Sequence, residues 1–280
     1  MMRAGWFGLL GAMVSTAALG ADTLLRARET GTLRLGVRAD APPYSYRGAS
    51  GEYSGYMVDL CREMGRAVST KIENPRLKIE YIEVSANDRL DAVKDGKIDI
   101  LCDPTSVTSS RREMVDFSYP TMIDGVGAVY RKNGPTSISE FNGKNIGVLQ
   151  GTTAEQALKS ILWQMDIKAN IVPSVSHADG IRDLTKNKID VYFGDRGILS
   201  YYIRDSKESK SIQLENNYYT FETYALAIQR GDGAFRALVD ATLADLYRSH
   251  AIQKIYTRSF GSTVPDEFVR VLYVINGVPK

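Results

Sequence analysis

The densest collection of reactive side chains in the sequence is Asp103-Pro104-Thr105-Ser106-Val107-Thr108-Ser109-Ser110-Arg111-Arg112. Thr108 is suited to cap a short helix from Ser109 to Met114. Free backbone N–H groups, hydroxyls and a guanidinium would then converge, a combination that holds a carboxylate through paired hydrogen bonds. Taken alone, these residues fit a solvated arginine on a helix face equally well. Elsewhere the chain lacks the phosphate loop G-x-x-x-x-G-K-[ST], the dinucleotide pattern G-x-G-x-x-G, the nucleophile elbow G-x-S-x-G and the zinc pattern H-E-x-x-H. Its histidines, His177 and His250, are too few to make a typical zinc site with Cys61 and Cys102. The residues therefore favour binding over catalysis, with no metal and no cofactor.

Alternating periods of two and 3.6 residues define the elements that must place these groups. Leu33, Leu35 and Val37 mark a strand, Met57, Leu60, Cys61, Met64 and Val68 a helix, and Ile79 with Tyr81 a second strand. A short helix around Leu90 and Val93 stops at Gly96, and Ile98 to Cys102 reads as a covered strand, completing βαβαβ. The order repeats with a strand at Asn145–Leu149, a helix through Leu158 and Leu162, a strand at Ile171, a helix at Ile181 and Leu184, and a strand from Ile189 to Phe193. A further strand from Thr223 and an apolar helical stripe from Phe235 to Leu246 remain, and they are expected to return to the first lobe. The expected fold class is α/β with two lobes joined by two hinge strands: lobe 1 over 30–124, lobe 2 over 125–220, and a lobe 1 return with a C-terminal tail over 221–280. A cleft between such lobes suits a small ligand.

With 280 residues, 44% hydrophobic, the chain can bury two moderate cores. Lys+Arg 35 against Asp+Glu 33 leaves a net charge of +2 in mixed-sign runs, so no nucleic-acid partner is expected. Arg3, the apolar run Trp6–Leu19 and the small residues Ala17, Ala18, Gly20 and Ala21 form a secretory signal pattern, placing a signal peptide at 1–21. That run is short for a membrane span, which needs roughly 20 residues. The mature protein is expected in the periplasm, not membrane-spanning, and monomeric. In an oxidising compartment Cys61 and Cys102 are free to pair, closing a loop of about 42 residues, or to remain two buried thiols.

Thr105-Ser106-Val107-Thr108 with Arg111, followed by Val115-Asp116-Phe117-Ser118-Tyr119-Pro120, resembles the ligand signature of family 3 periplasmic amino-acid-binding proteins of ABC transporters. Gly36-Val37-Arg38 with Pro43-Tyr44-Ser45-Tyr46, Gly55-Tyr56 with Val58-Asp59-Leu60, Gly147-Val148-Leu149-Gln150-Gly151-Thr152-Thr153, and Ile189-Asp190-Val191-Tyr192-Phe193-Gly194-Asp195 follow the same family order. The resemblance implies a type II periplasmic-binding fold that closes on a free amino acid and hands it to an ABC permease. It places Arg111 on the α-carboxylate with Ser106, Thr152 and Thr153 nearby, and Asp195 on the α-ammonium. Arg38, Arg89 and His177 resemble the side-chain contacts of the glutamate/aspartate-binding branch, and Tyr44 would wall the aliphatic part. Asp103 stands where the family usually has a small residue, so it either adds a charge near the ammonium or neutralises Arg38 or Arg89. The expected ligand is an amino acid, leaning towards glutamate, aspartate or another polar one. Two alternatives remain: a cyclohexadienyl dehydratase-like enzyme on this fold, with Asp103 or Glu222 as general acid, and a ligand-sensing module for a receptor.

Overall fold

Period-two burial of Leu33, Leu35 and Val37 shapes strand β1 (Thr32–Val37), which follows helix α1 (Thr23–Thr30). The computed structural model describes residues 22–205, 210–261 and 264–279, so the signal-peptide segment 1–21 lies outside the described residues. After β1 comes a small antiparallel sheet of β2 (Asp40–Ala41), β3 (Ser45–Arg47) and β4 (Tyr53–Ser54). Helix α2 (Tyr56–Lys71) turns Met57, Leu60, Cys61, Met64 and Val68 inward at helical spacing. Strand β5 (Lys78–Glu83), helix α3 (Arg89–Lys94), strand β6 (Ile100–Cys102), the short helix α4 (Ser109–Arg112) and strand β7 (Val115–Asp124) complete the first pass. Cys61 of α2 is disulfide-bonded to Cys102 at the end of β6, with the Cα atoms 6.0 Å apart.

The second lobe contains β8 (Val126–Arg131), β9 (Asn145–Leu149), α5 (Thr153–Gln164), β10 (Asn170–Ser174), α6 (His177–Thr185), β11 (Val191–Asp195), α7 (Arg196–Asp205) and β12 (Ile212–Leu214). Strand β13 (Glu222–Gln229) then rejoins the first sheet, followed by α8 (Gly233–Arg248), α9 (Ile252–Phe260) and α10 (Glu267–Asn276). The sheet orders are β5-β1-β6-β13-β7 and β10-β9-β11-β8-β12. In each, three parallel strands meet an antiparallel fourth: β13 against β6, and β8 against β11. The lobes thus share one plan, and both faces of each sheet are buried.

The chain crosses between sheets at Gly125 and again over 215–221, and the two crossings run side by side. Val126 N donates to Thr220 Oγ1 at 3.1 Å and Tyr219 N to Val126 O at 2.8 Å. A Cβ on residue 125 would overlap the Thr220 carbonyl, so only glycine permits this approach. The tail docks on lobe 1: α10 buries Val269, Leu272 and Tyr273, and the Tyr273 hydroxyl lies 2.8 Å from that of Tyr56. Among the described residues, no helix is long and apolar enough to cross a membrane.

Candidate functional site

The crevice between the lobes lies beyond the carboxyl ends of parallel strands β1, β6, β9 and β11, the usual ligand position in open α/β sheets. Thr108 caps α4 by accepting from Arg111 N at 3.2 Å, and the buried Arg111 side chain donates from Nη1 to Ser106 O at 2.8 Å. Backbone pairing fixes the segment before it. Val107 N donates to Thr223 O (2.9 Å) and Ala225 N to Thr105 O (3.1 Å), where the register between β13 and β7 slips around Ala225. Burial lowers the Arg111 pKa, while Asp103, Glu222 and Asp195 oppose the fall.

Across the crevice, Ser106 Oγ approaches Thr153 Oγ1 at 3.2 Å, and Thr153 donates to Glu222 Oε2 at 2.7 Å. Thr152 is committed elsewhere. Its hydroxyl caps α5, accepting from Glu155 N at 3.2 Å, and donates to Leu149 O at 2.7 Å. Gly151, with φ of 73°, brings its backbone against Ala86 and Asn87 of lobe 1, and a Cβ there would meet Ala86 O at 3.0 Å.

Asp195 ends β11, buried, and its Oδ1 accepts no hydrogen bond. Burial pushes its carboxyl up to about 8, with Asp124 and Glu222 adding to the rise and Tyr224 and Arg111 opposing it. An orphaned buried carboxylate oxygen calls for a cationic partner. Asp124, by contrast, is well served. Gly125 N reaches its Oδ1 at 2.8 Å, while Gly197 N (3.0 Å), Tyr44 Oη (3.0 Å) and Tyr224 Oη (3.2 Å) reach Oδ2. Burial still raises Asp124 to about 6, against these hydrogen bonds. Tyr44 therefore sits at the hinge, its ring edge-on to Tyr224 (5.5 Å) and Phe260 (5.6 Å).

A third cluster fills the other end. Arg38 follows β1 and binds Asp40 Oδ1 through Nε (2.8 Å) and Nη2 (2.6 Å). Arg89 opens α3, donates from Nη1 to Ala86 O, and places Nε 3.3 Å from Thr105 Oγ1. Asp103, fully buried after β6, has Oδ2 3.2 Å from Arg89 Nε and 3.9 Å from Arg38 Nη1. The first distance suits an ion pair, but the N–H is poorly aligned with Oδ2, which accepts no hydrogen bond. Thr105 donates to the other oxygen, Oδ1. Burial lowers Arg89 to about 10 and pushes His177 down to about 4. His177 Nδ1 lies 3.1 Å from the Tyr192 hydroxyl, and Tyr202 of lobe 2 donates to Asp40 O at 3.1 Å.

Arg38, Arg89, Asp103 and His177 thus form one cluster and Arg111, Ser106, Thr153 and Asp195 another, and the two adjoin: Arg111 feels Asp103 and Arg89 feels Asp195. Sequence reasoning passed over Asp40, Asp124 and Tyr224. The signal for Asp124 is a lone acid in the otherwise uncharged hinge run Tyr119-Pro120-Thr121-Met122-Ile123-Asp124-Gly125-Val126.

Residues 33–262 match the model of the bacterial extracellular solute-binding proteins, family 3. The chain is 30% identical over 249 residues to the L-glutamate/L-aspartate-binding protein of Pseudomonas aeruginosa, covering 88% of this chain and 82% of that protein. It is 24% identical over 260 residues to the glutamate/aspartate import solute-binding protein of Salmonella typhimurium, covering 92% and 86%. A crystal structure of an ancestral amino acid-binding protein, a precursor of cyclohexadienyl dehydratase, superposes with a TM-score of 0.75 at 26% identity, covering 85% of this chain and 100% of that one. With the family model spanning most of the sequence and both lobes, the chain belongs to the bacterial extracellular solute-binding proteins, family 3.

Proposed function

We propose that this protein is an exported, periplasmic binding protein that captures a free amino acid between its lobes and delivers it to an ABC permease. The observation that carries the reading is a buried guanidinium, Arg111, and a buried carboxyl, Asp195, that feel each other's charge while Asp195 Oδ1 lacks a hydrogen-bond donor. A zwitterion leaving water needs both poles compensated; the two groups stand on opposite lobes, and a ligand ammonium beside Asp195 would restore the ionisation that burial opposes, so that each pole meets its opposite charge. Arg111 would take the α-carboxylate beside Ser106 and Thr153, and Asp195 the α-ammonium. Relatives named for amino-acid binding and import support the amino-acid reading. Binding is the role this arrangement serves: both oxygens of Glu222 accept from the Thr153 and Thr220 hydroxyls, and one oxygen of Asp103 accepts from Thr105.

Calorimetry with the twenty common amino acids tests this. At least one should bind, and Arg111→Ala should weaken every one that does by roughly a hundredfold or more, the cost of leaving an ionic group without its partner. Turnover of prephenate or arogenate, or unchanged affinities in the variant, would overturn the reading.

A further inference from the structure

We propose that Asp103 makes the far end of this cleft selective for an amino acid with an uncharged, hydrogen-bonding side chain and against one with a second carboxylate. The inference rests on the amino-acid reading above and concerns the side chain alone. Two guanidinium groups at one end of a pocket would ordinarily invite an anion. Here both are already answered. Arg38 holds Asp40 through two nitrogens, and Asp103 stands 3.2 Å from Arg89 Nε and 3.9 Å from Arg38 Nη1. Two cations face two carboxylates, and His177, held down to about 4 by burial, adds no charge at neutral pH.

Arg111 also feels Asp103 and Arg89, but it is taken by the α-carboxylate in the reading above, so a side-chain carboxylate entering this end would meet Asp103 and Asp40 with no further guanidinium in surplus. A ligand ammonium would find Asp103, but between two cations. A neutral group with an N–H or O–H avoids both penalties and supplies what Asp103 lacks, because its fully buried Oδ2 accepts no hydrogen bond. Carboxamides and hydroxyls meet that requirement.

The test is calorimetry of the full mature chain and of Asp103→Asn with glutamine, asparagine, serine, threonine, glutamate, aspartate, lysine and arginine. The wild type should bind one of the four neutral ligands tightest, with the matching acid at least roughly a hundredfold weaker. Asp103→Asn keeps an oxygen for Thr105 and frees a guanidinium charge, so it should narrow the neutral-to-acid ratio by at least about tenfold. A wild type that binds an acidic or cationic ligand tightest overturns the proposal and leaves the amino-acid reading standing. So does a folded Asp103→Asn with an unchanged ratio. If the variant does not fold, the wild-type ranking decides. If no amino acid binds, the amino-acid reading falls and this proposal with it.

Discussion

Replacing Asp195 with asparagine is expected to let the ligand-free protein close. With the lobes in contact across the crevice, as Ser106 with Thr153 and Tyr202 with Asp40 are here, burial raises the Asp195 carboxyl from an ordinary 3.8 to about 8. Asp124 is met by two N–H groups and two hydroxyls, whereas Asp195 Oδ1 has no donor, so Asp195 bears the larger uncompensated charge. If the open crevice leaves Asp195 near 3.8, closing over it without a ligand costs on the order of 4 kcal/mol at pH 7 and about 2 kcal/mol at pH 5. The sign follows from the raised closed-state value: closure takes up a proton, so the empty closed form gains as pH falls below about 8. Small-angle scattering without ligand at about pH 5, 7 and 8.5 reads this directly. Wild type should be extended at the most alkaline of these and progressively more compact towards the most acidic; Asp195→Asn should be compact throughout and should bind amino acids at least about tenfold more weakly. Equal radii of gyration for the two proteins at every pH, or an empty wild type already compact at the alkaline end, would refute the assignment of the closing cost to Asp195.

Two other changes probe the frame. Gly151→Val places a branched side chain against Ala86 and Asn87 at a φ of 73°, so it should block closure, and scattering should show little ligand-induced compaction while affinity falls at least about tenfold. Replacing Cys61 and Cys102 together with alanine removes a cross-link spanning 41 positions in sequence, and urea unfolding should show a loss of about 4 kcal/mol if loop entropy dominates.

Residue periodicity was enough to locate most strands and helices of both lobes, because burial of alternate residues in a strand and of every third or fourth in a helix is a local property. Leu33, Leu35 and Val37, and the inward face of α2, were legible for this reason. The cap at Thr108 was legible too, since its hydroxyl serves an N–H only three residues away. Helix α1 and the docking of α10 were not, because Thr23 N meets Asp232 and Tyr273 meets Tyr56 across more than two hundred residues. The site divides in the same way. The family resemblance singled out Arg111, Asp195, Arg38 and Arg89 as candidate ligand contacts and left Asp103 with two roles. Only the tertiary structure set Asp103 beside Arg89 and Arg38, and joined Asp124 to Tyr44, Tyr224 and Gly197. Whether a buried charge is compensated depends on distances between strand ends remote in sequence, which no local pattern encodes.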